Sequence, residues 1–139
     1  MSGNIYSIVG SSLDAQDTRM SAIASNLANV DSIAAPGGTP YRAHEVVFQA
    51  APVAGEGGNG AALGVQVAGT VLSNAPLKQH YDPSSPYADS KGLVTGSNVS
   101  QVSQMVDLID SSNTYSASVA VLQEAGRIDQ QMLSSFQVT

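Results

Sequence analysis

Residues 6–30 read YSIVGSSLDAQDTRMSAIASNLANV, and their spacing decides the architecture. Positions 6, 9, 13, 16, 20, 23, 27 and 30 alternate steps of three and four, and they hold Tyr6, Val9, Leu13, Gln16, Met20, Ile23, Leu27 and Val30. Seven of these eight are apolar, which is the narrow seam of a helix that packs in a coiled coil or bundle. All six prolines fall between Pro36 and Pro86, and ten of the thirteen glycines lie between residues 31 and 97. Proline is excluded from helix interiors. Residues 1–30 and 98–139 can therefore be long helices, roughly 40 and 60 Å at 1.5 Å per residue, whereas 31–97 cannot. The predicted fold is mainly α with a small β part. An N-terminal helix (1–30) and a C-terminal helix (98–139) pack as a coiled-coil-like pair around a hairpin- and loop-rich middle (31–97).

In the C-terminal segment, Met105, Leu108, Tyr115, Val119, Leu122, Leu133 and Phe136 share one stripe with steps of three and four. Ser112, Gly126 and Asp129 interrupt it, and Val106, Ile109, Val121, Ile128 and Met132 form a second stripe beside it. Asn98 followed by Gln101 reads as a capping box. Gly126, with apolar residues on both sides, reads as a close helix–helix approach, because glycine costs about 1 kcal/mol against alanine inside a helix.

In the middle, YRAHEVVFQ (41–49) is rich in strand formers, and Val65, Val67, Gly69 and Val71 alternate on one face. The Gly-rich run between them reads as a hairpin tip. Residues 82–97 are turn-rich. There Asp82 opens an Asp-Pro turn and Asp89 precedes the Lys91-Gly92 turn.

Composition removes most chemistry. There is no Cys, so disulfides, thiolate metal sites and Cys nucleophiles are absent together. Five basic residues against eleven acidic ones, for a net charge of −6, cannot build a phosphate-tracking stripe, which excludes nucleic acid as a partner. GEGGNG at 55–60 matches a dinucleotide fingerprint literally, but a Val-alternating strand follows it where a helix would have to open. His44 and His80 stand apart, and no metal, nucleophile-elbow or paired-carboxylate pattern forms around them. No catalytic residue, cofactor, metal or small-molecule substrate is expected. The 72 residues of the two flanks carry only eight charges. Outer helix faces of Ser, Gln, Asn and Ala can pack against neighbours without like-charge repulsion, so these helices are expected to pack in an assembly.

The block SSLDAQDTRMSAIASNLANVDS and the later GGTPYRAHEVVFQ resemble the bacterial flagellar axial family of rod and hook proteins. Asn26, Ala28 and Asn29 stand where that family carries its Asn-x-Ala-Asn signature. The linker with Gly38, Pro40, Tyr41 and Arg42 is similar to that of the proximal-rod members, as is HYDPSSPYAD with Tyr81, Asp82 and Pro83. Ala43, where a second basic residue is expected, and the Gly/Ala-rich run 50–63 depart from the pattern. The resemblance implies a structural, non-enzymatic subunit of the basal-body rod. Copies would assemble helically, with each other and with other rod proteins, into a hollow, torque-bearing shaft across the periplasm. That shaft would be rooted on the membrane ring and export gate. Export would use the flagellar type III apparatus without a cleaved signal. The apolar stripes from Val9 to Val30 and from Met105 to Phe136 would be the packing seams. A different axial subunit of the family is the nearest alternative, and a non-flagellar coiled-coil adaptor a more distant one.

Overall fold

A computed structural model describes residues 2–53 and 62–136. The order is α1 (Ser2–Ala28), β1 (His44–Pro52), β2 (Leu63–Leu72), β3 (Gln79–Tyr81), β4 (Leu93–Thr95) and α2 (Gln101–Phe136). Two proline-free helices of 27 and 36 residues flank a small β part, as the proline and glycine partition predicts. The GEGGNG run lies outside the described residues.

α1 ends at the Asn26–Asn29 signature. Its last turn tightens through Asn29 N–H to Asn26 O (3.1 Å) and Val30 N–H to Leu27 O (3.4 Å). Asn29 Nδ2 donates to Ser25 O at 2.9 Å, which satisfies one of the carbonyls that a helix end leaves without a partner.

β1 and β2 pair antiparallel from His44↔Leu72 to Pro52↔Leu63, with a bulge between Val47 and Phe48. This hairpin lies along α1. Asn26 meets it at His44, and Ser11 Oγ accepts from Val65 N–H (3.1 Å) nearer its tip. Gly64 allows that approach, because a Cβ there would stand 2.5 Å from both Ser11 Oγ and Val53 Cγ1.

The turn-rich stretch holds a second hairpin that periodicity did not reveal. β3 pairs with β4 from Gln79↔Thr95 to Tyr81↔Leu93. Residues 32–34 run along the other side of β4, through the Ile33↔Gly96 bridge and Ala34 N–H to Thr95 O (3.0 Å). Both aspartates set turns as expected. Ser84 N–H donates to Asp82 Oδ1 (3.1 Å), while Lys91 N–H (2.8 Å) and Leu93 N–H (2.9 Å) donate to Asp89 Oδ1.

Two readings need correction. Asn98 does not cap α2, because its side chain is spent elsewhere: Oδ1 accepts from Ala43 N–H (2.7 Å), and Nδ2 donates to Ser73 O (3.1 Å) and Ala75 O (3.0 Å). Ser100 is the cap, with its Oγ accepting from Ser103 N–H at 3.4 Å. Gly126 is not a close approach within this chain, since an added Cβ would meet only Tyr6 OH, at an ordinary 3.7 Å.

The core is small. Among the described residues only Ala15, Ile23, Ala43, Val94 and Val99 are buried apolar residues, whereas twenty large apolar side chains are exposed. The accessible surface is 9166 Å², against about 6,800 Å² for a compact monomer of this mass.

Candidate functional site

α1 and α2 pack antiparallel, and polar groups mark their contacts. Tyr6 OH donates to Asp129 Oδ2 at 3.1 Å near one end. Burial and the Asp129 carboxylate raise the Tyr6 pKa. Arg19 reaches Asp107 at 3.3 Å and Asp110 at 3.5 Å further along. At the other end Asn26 Nδ2 donates to Gln104 Oε1 at 2.8 Å.

The face that α2 turns inward follows from these contacts. Gln104, Asp107, Ser111, Thr114 and Ser118 are less exposed than their neighbours along the first half of the helix, and Leu122 and Ala125 along the second. Their steps of three and four make a true helical stripe, but its first half is polar or small. Ser111 is fully buried, yet its Oγ has no hydrogen-bond partner, and neither does the buried Oε1 of Gln16 on α1.

The apolar stripe read from the sequence points elsewhere. Met105, Leu108, Tyr115, Leu133 and Phe136 are exposed, the last at 80%, and only Val119 and Leu122 are partly covered. Val102, Val106, Ile109, Val121, Ile128 and Met132 are exposed as well. Eleven of the twenty exposed large apolar residues therefore sit on α2. Val102, Met105, Val106 and Ile109 follow steps of three, one and three, the spacing of an apolar helix face, and this face is turned to solvent. On α1, Ile23 is buried, and Val9, Leu13, Met20, Leu27 and Val30 at the end of the helix are partly covered.

A polar hub joins the helix pair to the hairpin. Asn26 is 1% exposed and uses every hydrogen-bonding site it has. Its Oδ1 accepts from His44 N–H (2.8 Å) and Tyr41 OH (3.1 Å), and its Nδ2 donates to His44 O (2.9 Å) and to Gln104. Asn26 thus pairs with the backbone of β1 as a neighbouring strand would. Tyr41 has one proton, committed to Asn26, so the pattern assigns a proton to His44 Nδ1, 3.0 Å from the phenol oxygen.

The remaining motif residues spread over the fold. Arg42 donates to Ser73 O (2.9 Å) and Ala75 O (3.3 Å), beside Asn98. Gly38 N–H donates to Ala35 O (2.8 Å) in the linker that continues to the partly covered Pro40. Ala28, Tyr81 and Pro83 are exposed. Hydrogen bonds from Ser84 hold the Asp82 carboxyl below its usual range, and backbone donors from Leu93 and Lys91 do the same for Asp89. Among the described residues no group of three or more His, Asp or Glu is placed to hold a metal ion. Among the described residues no helix is long and apolar enough to cross a membrane.

Known proteins match this sequence. Residues 90–135, which carry α2, match the family described as flagellar basal body rod FlgEFG protein C-terminal. Over 121 residues the chain is 49% identical to the flagellar basal-body rod protein FlgC of Escherichia coli O6:H1, covering 86% of each protein. It is 45% identical over 119 residues to that of Salmonella typhimurium, again covering 86% of each. Against the FlgC of Borreliella burgdorferi it is 35% identical over 130 residues, 83% of this chain and 84% of the other. Identity of this extent, spanning both helices and the β part, places the chain in the family of FlgC flagellar basal-body rod proteins.

Proposed function

We propose that this chain is a structural subunit of the flagellar basal-body rod. It assembles helically with copies of itself and with other rod proteins into a hollow shaft that carries torque across the periplasm. The observation that carries this reading is α2 itself, where eleven large apolar side chains are exposed while the stripe turned toward α1 is largely polar or small, with Ser111 fully buried. A free monomer gains nothing from that arrangement. A subunit with neighbours does, at about 25 cal/mol per Å² of apolar surface covered. The surface in excess of a compact monomer is about 2,400 Å², the area of roughly three standard contacts at about 800 Å² per partner. Continuous helices packed side by side make a wall stiff in torsion, and the low charge of both helices removes repulsion between copies. Family membership supports the membrane ring and export gate as neighbours at the rod base, and the flagellar type III apparatus as the export route.

Ile109→Asp, Val121→Asp and Ile128→Asp test this. Each site is exposed, so the free chain should change by no more than about 0.5 kcal/mol. In the rod each should bury an unpaired charge and cost several kcal/mol. Cells carrying them should contain the protein but lack complete rods and filaments. Normal rods with all three variants would show that this face is not an interface.

A further inference from the structure

Oxidation chemistry in this chain falls to one residue type. There is no Cys and no Trp, so its four methionines are the side chains that a peroxide attacks first. Met1 lies outside the described residues. Met20, on α1, is partly covered. Met105 and Met132, both on α2, are 52% and 47% exposed. The fold thus separates two accessible methionines from a shielded one.

Each accessible methionine sits inside an apolar cluster. Met105 has Val102 one turn before it, Ile109 one turn after it and Val106 beside it. Met132 has Ile128 and Phe136 at the same helical spacing and Leu133 beside it. All of these side chains are exposed, and none carries a hydrogen-bond donor.

Hydrogen peroxide oxidises a thioether in one step. The sulfur lone pair attacks one peroxide oxygen, an S–O bond forms and the O–O bond breaks. The proton on the attacked oxygen passes to the departing hydroxide, which leaves as water. Sulfur is oxidised by two electrons and the peroxide is reduced by two. The flexible apolar side chain becomes a polar sulfoxide with a strong acceptor oxygen.

We propose that Met105 and Met132 are sites of reversible oxidation by hydrogen peroxide in the unassembled chain, and that their sulfoxides keep a subunit out of the rod until methionine sulfoxide reductases restore the thioethers. The inference rests on the rod reading and adds a chemical control on which subunits enter. In the free chain the sulfoxide oxygen is hydrated and leaves the fold unchanged. Under a neighbouring subunit it is an acceptor buried among side chains that cannot donate. The electrons for repair come from the reductase, because this chain has no thiol.

Two measurements test this. The purified full chain is treated with hydrogen peroxide, and each methionine is followed by peptide mass spectrometry. Met105 and Met132 should oxidise within about twofold of methionine in a short peptide, and Met20 several-fold more slowly. The second measurement counts rods in cells whose only copy is the parent chain or a variant. Met105→Leu with Met132→Leu removes both sulfurs at nearly constant volume. When rods assemble under peroxide, the parent should form roughly tenfold fewer than this double variant, the effect of an acceptor buried without a donor. Without peroxide the two should match. Met105→Gln with Met132→Gln, polar as the sulfoxides are, should lose rods without any oxidant. Three results overturn the proposal: equal oxidation rates at Met20, Met105 and Met132, equal rod numbers for the parent and the leucine variant under peroxide, or full rod numbers with the glutamine variant. Absence of the parent chain from basal bodies of untreated cells overturns the rod reading, and the proposal with it.

Discussion

Asn26→Ala removes one side-chain amide and disconnects three parts of the molecule. The substitution deletes four hydrogen bonds: two to the backbone of His44, one to Tyr41 OH and one to Gln104 Oε1. A typical bond contributes a net 0.5–1.5 kcal/mol, and a buried group left without its partner costs about 1–3 kcal/mol. Tyr41 and Gln104 can turn to Ser25, His44 or water, so the main loss is at the His44 N–H and C=O. The expected destabilisation is about 2–4 kcal/mol. Asn29→Ala is the internal control. Asn29 makes one side-chain bond, to Ser25 O on the exposed side of the helix end, so its loss should stay near or below about 1 kcal/mol. Two asparagines of one short signature should therefore differ several-fold. The assay is urea unfolding of the purified chain, with amide hydrogen exchange at His44 measured by NMR. The parent chain should protect the His44 N–H, and Asn26→Ala should lose that protection together with the drop in midpoint. Equal effects of the two variants, or a protected His44 amide in Asn26→Ala, would refute the hub.

Three glycines should respond differently to alanine. Gly64→Ala drives a methyl into Ser11 Oγ, which Ile8 O and Val65 N–H hold in place, and should cost about 1–3 kcal/mol in thermal unfolding. Gly10→Ala meets nothing within 4 Å and should stabilise the free chain by up to about 1 kcal/mol. Gly126→Ala should do the same in the free chain, so loss of motility in those cells would locate a neighbour's backbone at this site. The lowered pKa values of Asp82 and Asp89 mean that the folded state favours their ionised forms. Their contribution is complete above the unfolded value near 4 and is lost as pH falls through the lowered folded values. NMR shifts of the Ser84 and Leu93 amides should therefore change on the acid side of pH 4, and a transition centred above it would contradict the assignment. Because α2 exposes its apolar face, circular dichroism of the dilute chain should report less helix than the 27 and 36 residues of α1 and α2. Full helix content at low concentration would oppose that.

Proline placement made the two helices legible in the sequence, and alternating valines made the main hairpin legible. Both signals come from strong local rules that no partner has to complete. β3 and β4 were invisible because three residues are too few for a period, and their pairing spans the eleven residues 82–92. The cap of α2 was misread because Asn98 and Ser100 both suit that role. The choice went to tertiary structure, where Ala43, Ser73 and Ala75 needed the amide more. Asn26 stood out as part of a signature, but hydropathy carried no sign that it is buried. A polar side chain inside a fold depends on partners far along the chain, here Tyr41, His44 and Gln104.

The stripes of α2 teach the most. Steps of three and four identified its apolar residues correctly, yet along the first half of the helix the face they form does not meet α1, and only Val119 and Leu122 further on are partly covered. Periodicity reports that a helix has two faces; it is silent on which partner each face meets. An apolar stripe is normally assigned to the interior, because a monomer has nothing else to cover it. Here the assignment reverses. Gln104, Asp107, Ser111 and Thr114 turn inward at the cost of unpartnered oxygens on Ser111 and Gln16, and Val102, Met105, Val106 and Ile109 remain in water. A single chain would relieve both penalties by rolling α2 about its axis. The polar face is held inward by Arg19, Asn26 and Tyr6, at three points along α1. The intrachain contacts fix where α2 sits and leave its larger apolar surface exposed, which is the surface that the proposed packing in the rod would cover.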